Sequence, residues 1–332
     1  MQHSRADYLV AGAGPAGTTL ARLLALKGRK VVLIDPGLRG ATRLELLAPA
    51  SLGTIAALGL SALLQDPAIA RPCLGIRRQW DTADVEYEDF LRHPHRTGYV
   101  VDRASFDRRL QAAAAAAGVE FCRARVSGVE AGGVRVQAGG NDSAIMACSH
   151  AVIDATGRAA MIARRHGTRV VRRDRMVAEL VEQAVTESSE NAPGWLDVTK
   201  LGSSWSYRIH GPAGRVQTWR ICRSVMRPVA NALLRVDASA GILSAAAGEG
   251  WIAVGDAACA FDPIASQGLF NALSSALVAT GALLSVDGLT PATARLYSDA
   301  VAATFAWSEA GRSNVYGRED VRERKARERS RD

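Results

Sequence analysis

Cysteine, histidine and aromatic residues are scarce in this sequence, and no long apolar run interrupts it. The five cysteines lie singly, with no CxxC pair, which favours a reducing cytoplasm and argues against a disulfide framework or a zinc site. The six histidines show no metal-ligand spacing, so no bound metal is predicted. No apolar run reaches the ~18 residues of a membrane span, and Met1 stands too close to the first predicted strand for a signal peptide.

Lysine is also rare, so arginine carries the excess of positive charge. The net charge is +8, and the lysines are only Lys27, Lys30, Lys200 and Lys325. Arginines are dense between Arg164 and Arg175, and such a surface can guide an acidic partner or a phosphorylated pyridine nucleotide. A plain solvated surface is the simpler alternative. Nucleic-acid binding is not expected, because the sequence has no aromatic-interleaved basic motif or reading helix.

The segment from Tyr8 to Asp35 predicts a strand, a glycine turn, a helix and a second strand that ends on an acid. Gly12 permits a tight turn, Gly14 leaves room for a pyrophosphate, and Gly17 lets the helix lie close to the strand. The helix N-terminus then faces the phosphates. Asp35 lies 18 residues after Gly17, near the spacing expected of a carboxylate that binds a ribose hydroxyl. These features together predict a bound dinucleotide.

Two later segments indicate which dinucleotide is bound. Val152–Arg158 predicts a strand that runs into a glycine turn, and Gly250–Leu269 predicts a buried strand, an acidic turn and a proline loop. Asp256 in the acidic turn is placed to accept hydrogen bonds from a polyol. Gly268 is predicted to begin a helix whose free N–H groups can stabilise an anionic ring edge. A Rossmann dehydrogenase that binds only NAD would not need either of these two segments.

Helices and strands between these motifs can be predicted coarsely. The apolar periodicity of Arg43–Leu60 predicts a helix that starts near Pro49. Arg103–Ala117 predicts a second helix, with Asp102 or Ser105 as its cap. The alternating pattern of residues 72–92 predicts strands.

Taken in order, the three motifs resemble the FAD motifs of flavoprotein monooxygenases. That superfamily includes aromatic hydroxylases, flavin-dependent halogenases and geranylgeranyl reductases. The resemblance implies an α/β fold, with a Rossmann-like FAD-binding domain of the glutathione-reductase type and an inserted, mainly β-sheet substrate domain. The expected boundaries are residues 1–70, 98–175 and 237–310 for the FAD-binding domain, 71–97 and 176–236 for the substrate-covering sheet, and 311–332 for a charged C-terminal tail.

The resemblance also implies which residues bind FAD. Arg43 is similar to the arginine that borders the flavin ring, and Arg103 belongs to a similar Asp-Arg-x-x-Phe-Asp helix start. The full expected set is Gly12, Gly14, Pro15, Ala16, Gly17, Asp35, Arg43, Arg103, Gly157, Gly255, Asp256, Pro263, Gly268 and Leu269.

Within the superfamily, the pattern is most similar to the flavoproteins that mature tryptophylquinone enzymes by oxygenating a tryptophan in a partner polypeptide. That similarity implies a monooxygenase that inserts oxygen into an aromatic substrate through a flavin hydroperoxide, with O₂ as co-substrate. Electrons would come from NAD(P)H or from a separate flavin reductase. Trp80, Trp205 and Tyr207 are the expected substrate residues, and Trp205 and Tyr207 belong to a cluster that also includes Trp195 and Trp219. Ordinary sheet core is the alternative explanation of that cluster.

Two residues are candidates for a base that deprotonates the substrate ring, Glu45 and His210.

Three other functions are alternatives to oxygenation. Halogenases carry a lysine just before a Leu-Gly pair, where this chain has Cys73, and their Trp-x-Trp-x-Ile-Pro signature is incomplete in Trp205–His210. Geranylgeranyl reductases are a second alternative, and a flavin-binding protein without turnover is a third.

Overall fold

The computed structural model describes residues 6–37, 43–80, 83–138, 143–186, 193–285 and 289–329. Two large sheets organise these residues, one of eight strands and one of nine, and a third sheet has three strands. Six α-helices accompany the sheets within the described ranges: α1 (Pro15–Ala25), α2 (Leu52–Ala57), α3 (Arg103–Ala116), α4 (Met161–Arg165), α5 (Gly268–Ser285) and α6 (Pro291–Arg329).

The strands of the eight-stranded sheet are β1 (Ala6–Ala11), β2 (Val31–Ile34), β7 (Glu120–Cys122), β8 (Arg125–Glu130), β9 (Gly133–Gln137), β10 (Ser143–Asp154), β18 (Ala247–Gly248) and β19 (Trp251–Ala253). The sheet is built on parallel pairs, β10 with β1, β1 with β2, and β2 with β7. Its central strands are almost wholly apolar because helices and loops bury them on both faces. The expected α/β, Rossmann-like architecture is confirmed.

The nine-stranded sheet is mostly antiparallel. Its strands are β3 (Leu44–Leu47), β4 (Ala70–Trp80), β5 (Val85–Asp89), β6 (Gly98–Asp102), β12 (Met176–Val185), β13 (Gly194–Leu201), β14 (Ser204–His210), β15 (Arg215–Arg223) and β16 (Leu234–Asp237). The three-stranded sheet contains β11 (Val170–Arg172), β17 (Gly241–Leu243) and β20 (Cys259–Ala260).

The predicted helices are partly revised by the structure. In Arg43–Leu60, residues Leu44–Leu47 form β3, and a short 3₁₀ turn beginning at Pro49 leads into α2. β3 is a strand because it pairs with β6, a tertiary contact that local periodicity does not reveal. Asp102 caps α3 as predicted, since its Oδ1 accepts a 2.7 Å bond from the Ser105 N–H.

Two long helices pack beside the eight-stranded sheet. α5 is the helix of the described chain that is long and apolar enough to cross a membrane, but it packs against α1 and buries Leu273, Ala276 and Leu283. This is the packing of a core helix. α6 runs without a break to Arg329, so the expected boundary at residue 311 falls inside a helix. Residues 330–332 of the expected tail lie outside the described part of the chain.

Candidate FAD and substrate site

The first glycine turn is closed by backbone contacts. Gly12 has a φ of +107°, and a Cβ added there would lie 2.2 Å from the Ala155 carbonyl oxygen. A Cβ at Gly17 would lie 2.1 Å from the Gly12 carbonyl oxygen. At Gly14, by contrast, an added Cβ would meet nothing within 4 Å. The turn therefore packs tightly against β10 on one side and faces open space on the other, as a phosphate cradle requires.

The start of α1 faces the same open space. Gly14 is its N-cap and offers no side-chain hydrogen bond, and the first turn contains no acidic residue. Pro15 lacks an N–H, but the next N–H groups have no carbonyl partner within the helix. Ala16 packs against Gly255, where an added Cβ would lie 2.8 Å from the Ala16 Cβ. An anionic group fits this helix start, so the chain's residues suit a pyrophosphate.

Asp35 lies beyond the end of β2, beside the glycine turn. Its Oδ2 accepts a 2.8 Å bond from the Ala13 N–H, and its Oδ1 accepts a 2.7 Å bond from the Gly37 N–H. Each carboxylate oxygen has a second lone pair. Asp35 is thus fixed in place and still able to accept a hydrogen bond from a ribose hydroxyl.

The segment from Asp154 to Arg158, Asp-Ala-Thr-Gly-Arg, contains residues with three different roles. Asp154 is fully buried and accepts bonds from the Ile162 and Ala163 N–H groups, so it anchors the start of α4. Gly157 adopts a φ of +64°, which turns the chain after β10. The Arg158 guanidinium donates to the Ser239 carbonyl and lies 3.5 Å from Asp256. Arg158 also lines the cavity described below. It belongs to the motif, but it was not among the residues expected to bind FAD.

A cavity lies between the nine-stranded sheet and the loops of the FAD side. From the FAD side it is lined by Arg43, Arg158, Asp256, Phe261, Asp262, Pro263, Ile264, Ser266, Gln267, Gly268 and Leu269. From the sheet side it is lined by Leu44, Glu45, Leu46, Ile76, Arg78, Ala178, Leu196, Val198, Trp205, Tyr207, Ile209, Trp219, Val236, Asp237 and Ala238.

Aromatic side chains form much of the sheet wall. Trp205 and Tyr207 alternate along β14 with residues that face away, and Trp219 pairs with Tyr207 from β15. Trp195 does not belong to this wall, because Leu196 and Val198 of its strand face the cavity. Trp195 instead packs edge-on against Tyr87, with the ring centroids 5.7 Å apart.

The expected substrate residue Trp80 does not line the cavity within the described residues. It is buried on the same sheet, its ring lies 6.2 Å from that of Tyr316, and the Lys200 ammonium lies 5.6 Å above it. Trp205 and Tyr207 are therefore brought to the cavity, and Trp80 is placed beside it. The substrate role of all three stays a prediction.

Glu45 lines the cavity as part of an ionic cluster. Arg103 donates a 2.7 Å bond to Glu45 and two 3.1 Å bonds to Asp107. Burial raises the pKa of Glu45, but Arg103 and Arg43 outweigh that effect, so the pKa lies below its ordinary value. Glu45 is thus held as a carboxylate. Arg43 lines the cavity, whereas Arg103 is not among the lining residues and pairs with the carboxylates of Glu45 and Asp107.

His210, the second candidate base, is not among the cavity-lining residues. It follows Ile209, which faces the cavity, so it lies on the opposite face of β14. Burial, with Arg71 and Arg208, lowers the pKa of His210 below its ordinary value. A neutral imidazole on that face does not contact a ring bound in the cavity.

The acidic turn and α5 complete the cavity on the FAD side. Gly255 has a φ of +59°, and Asp256 follows it at the cavity wall. The enclosing protein raises the pKa of Asp256 above its ordinary value, against the opposing effect of Arg158. Pro263, Gly268 and Leu269 line the same region, with the free N–H groups of the 18-residue helix α5 beside them.

The comparisons with known proteins agree with this geometry. The family model described as an FAD binding domain matches residues 5–179, more than half of the chain, and the protein therefore belongs to this FAD-binding family. The expected membership of the FAD-dependent monooxygenase and halogenase superfamily is confirmed.

Solved structures of the same fold include three with different activities. The flavin-dependent brominase Bmp2 is 17% identical, with 90% of this chain and 84% of that one covered and a TM-score of 0.76. The peptidyl tryptophan dihydroxylase QhpG, essential for tryptophylquinone cofactor biogenesis, is 22% identical, with 95% and 75% covered and a TM-score of 0.75. A geranylgeranyl bacteriochlorophyll reductase-like protein from Thermoplasma acidophilum is 20% identical, with 91% and 84% covered and a TM-score of 0.74. These identities establish a shared fold, and the substrate has to be argued from the site.

Proposed function

We propose that the protein is an FAD-dependent monooxygenase that inserts oxygen into an aromatic ring, and that the ring is a tryptophan side chain of a partner polypeptide. One observation carries the proposal. The cavity has the start of α5 and the acidic turn on one side, and Trp205, Tyr207 and Trp219 on the other. Aromatic rings prefer to stack on such a wall. The similarity to a peptidyl tryptophan dihydroxylase supports the same substrate class.

The chain's own residues have distinct tasks in this proposal. When bound and reduced, FAD supplies the electrons that activate O₂. The N–H groups at the start of α5 stabilise negative charge at the ring edge, and Asp256 accepts hydrogen bonds from the polyol chain. The aromatic and aliphatic side chains of the sheet wall keep water from the reacting atoms.

Glu45 is the candidate base that the cavity contains. Its carboxylate is kept ionised by Arg103 and Arg43, so it is free of a proton and able to accept one from the substrate ring. His210 faces away from the cavity, and we do not assign it this task.

The electron source and the partner are proposed from the surface. Arg164, Arg165, Arg169, Arg172, Arg173 and Arg175 are all exposed. Such a surface suits either the phosphate of NADPH or the acidic surface of a reductase or polypeptide substrate. All five cysteines are free, which supports a place in the reducing cytoplasm.

Halogenation is the second candidate, because a brominase shares the fold. The position before the Leu-Gly pair holds Cys73, a buried thiol whose pKa is raised to about 11 by burial. Lys200 is buried over Trp80 and does not line the cavity. Neither residue offers an ammonium to a hypohalous acid in the cavity, so oxygenation is favoured.

Product analysis distinguishes the candidates. FAD-loaded protein is reduced, mixed with O₂ and a tryptophan-containing peptide, and assayed by mass spectrometry with and without bromide. We expect a gain of one or two oxygen atoms on the tryptophan in both mixtures. A brominated peptide would favour halogenation, and turnover of prenyl chains alone would favour a reductase. No NAD(P)H consumption and no product, with or without substrate, would favour a flavin-binding protein without turnover.

A further inference from the structure

The C-terminal part of α6 reaches the end of the cavity. The Tyr316 hydroxyl accepts a 2.9 Å bond from the Trp205 indole N–H and lies 3.3 Å from the Asp262 Oδ2, to which it donates. Trp205 lines the cavity from the sheet, and Asp262 lines it from the loop before α5. The Tyr316 side chain of α6 therefore connects the sheet wall, at Trp205, to the loop wall, at Asp262.

A charged neighbour holds Tyr316 in this position. Arg312, one turn earlier on α6, donates a 2.9 Å bond to the Asp262 Oδ2 and pairs with Asp174. Its guanidinium lies 5.3 Å from the centre of the Tyr316 ring, a cation–π contact. The Asp262 side chain is only 1% exposed, so this pairing is shielded from water and salt. Tyr316 is thus fixed directly behind the wall, where it bonds to the lining residues Trp205 and Asp262.

The sheet surface that forms the wall continues behind Tyr316. Trp80 follows Arg78 by two residues on β4, and Lys200 follows Val198 by two residues on β13, so both share the face that lines the cavity. The Tyr316 ring contacts Trp80 on this face and separates it from the cavity at Trp205.

We propose that Tyr316 is a specificity-determining residue that sets the length of the cavity by closing it in front of Trp80. The inference rests on the proposed function for the class of ligand, an aromatic ring. A bicyclic ring system such as indole would occupy the space between the flavin side and Trp205. A longer aromatic ligand would have to occupy the position of Tyr316, and a smaller side chain there would add the face of Trp80 to the cavity.

The test compares two probes on the FAD-loaded protein, indole and 5-phenylindole, with binding followed by the change in flavin absorbance. We expect Tyr316→Ala to strengthen binding of 5-phenylindole relative to indole by about tenfold, the gain expected when an added ring leaves water for an apolar site. Tyr316→Leu serves as a second, apolar variant and should shift the ratio in the same direction. Tyr316→Phe keeps the ring and should leave the ratio as in the wild type.

Val315→Ala is the matched control, because Val315 is the neighbouring α6 residue and packs on the same sheet cluster, whereas the hydrogen bonds to the lining residues Trp205 and Asp262 come from Tyr316. It should lower stability without changing the binding ratio. An unchanged ratio in Tyr316→Ala and Tyr316→Leu, with indole still bound, would overturn the inference and leave the proposed function intact. Failure of both probes to perturb the flavin of the wild type would overturn the proposed function and the inference together.

Discussion

The two ends of the site are built from different parts of the chain. At the FAD end the backbone determines the shape, since a single added carbon at Gly12 or Gly17 would collide with a carbonyl oxygen at about 2 Å. At the aromatic end side chains determine it, with Trp205 and Trp219 contributed by neighbouring strands. Where backbone packs on backbone, as at Gly12 and Gly17, no added atom is tolerated. A wall of side chains tolerates exchange for groups of similar volume. We therefore expect the two ends to respond very differently to substitution.

The largest effect is expected at Gly12. Gly12→Ala places a Cβ 2.2 Å from the Ala155 carbonyl oxygen at a φ of +107°. The backbone strain alone costs about 1–3 kcal/mol, and the clash adds to it, so the melting temperature and the FAD affinity should both fall sharply. Calorimetry of the apoprotein and FAD titration measure the two effects.

Gly14→Ala is the matched control for that substitution. An added Cβ meets nothing within 4 Å there, so the melting temperature of the apoprotein should be unchanged. FAD affinity should still fall, because the Cβ would enter the space where we place the pyrophosphate. Unchanged FAD affinity in Gly14→Ala would mean that the phosphates bind elsewhere.

The same contrast explains what the sequence predicts well. Glycine positions in a strand–turn–helix are local signals, so the turn at Gly12 and the helix that begins at Gly268 were predicted from residues close in sequence. Which aromatic residue faces the cavity depends on strand pairing and on a distant helix. Trp195 was therefore grouped with the wrong face, and the contact of Tyr316 with Trp205 left no signal in the sequence.

An effect of intermediate size on FAD affinity is expected at Asp256, which lines the cavity. Asp256→Ala removes a carboxylate from the cavity wall and should weaken FAD binding by about 1.5–3 kcal/mol, the worth of a charge-assisted hydrogen bond. Asp237→Asn is the control, because Asp237 also lines the cavity but was not among the residues expected to bind FAD. Equal FAD affinity in the wild type and Asp256→Ala would remove Asp256 from the cofactor site.

Glu45→Gln should lower stability by about 1–2 kcal/mol at neutral pH, because it leaves Arg103 with less compensation in a mostly buried position. The pKa of Glu45 is lower in the folded protein than its ordinary value of 4.5, so the pairing stabilises the fold above pH 4.5. That stability is lost as the pH falls through the lower, folded-state pKa. Urea unfolding of both proteins across this range should show their difference shrinking in acid, and a constant difference would argue against the ionised pair.

The smallest effect is expected on the aromatic wall. Trp205→Leu should weaken indole binding by about 0.5–1.5 kcal/mol, the worth of an aromatic pair, while FAD affinity stays the same. Trp195→Leu is the control, since Trp195 lies on the opposite face of the same sheet. Similar losses of indole affinity in both variants would indicate a general effect on the sheet rather than a contact in the cavity.

The central claim is that one FAD molecule joins the two ends, with its pyrophosphate at the Gly12–Gly17 turn and its ring in the cavity. A crystal structure of the FAD-loaded protein with bound indole tests this claim most directly. We expect the flavin ring beside Gly268 and Asp256, and the indole between that ring and the wall formed by Trp205 and Tyr207. A flavin ring bound outside this cavity, or an indole bound on another surface, would contradict the account.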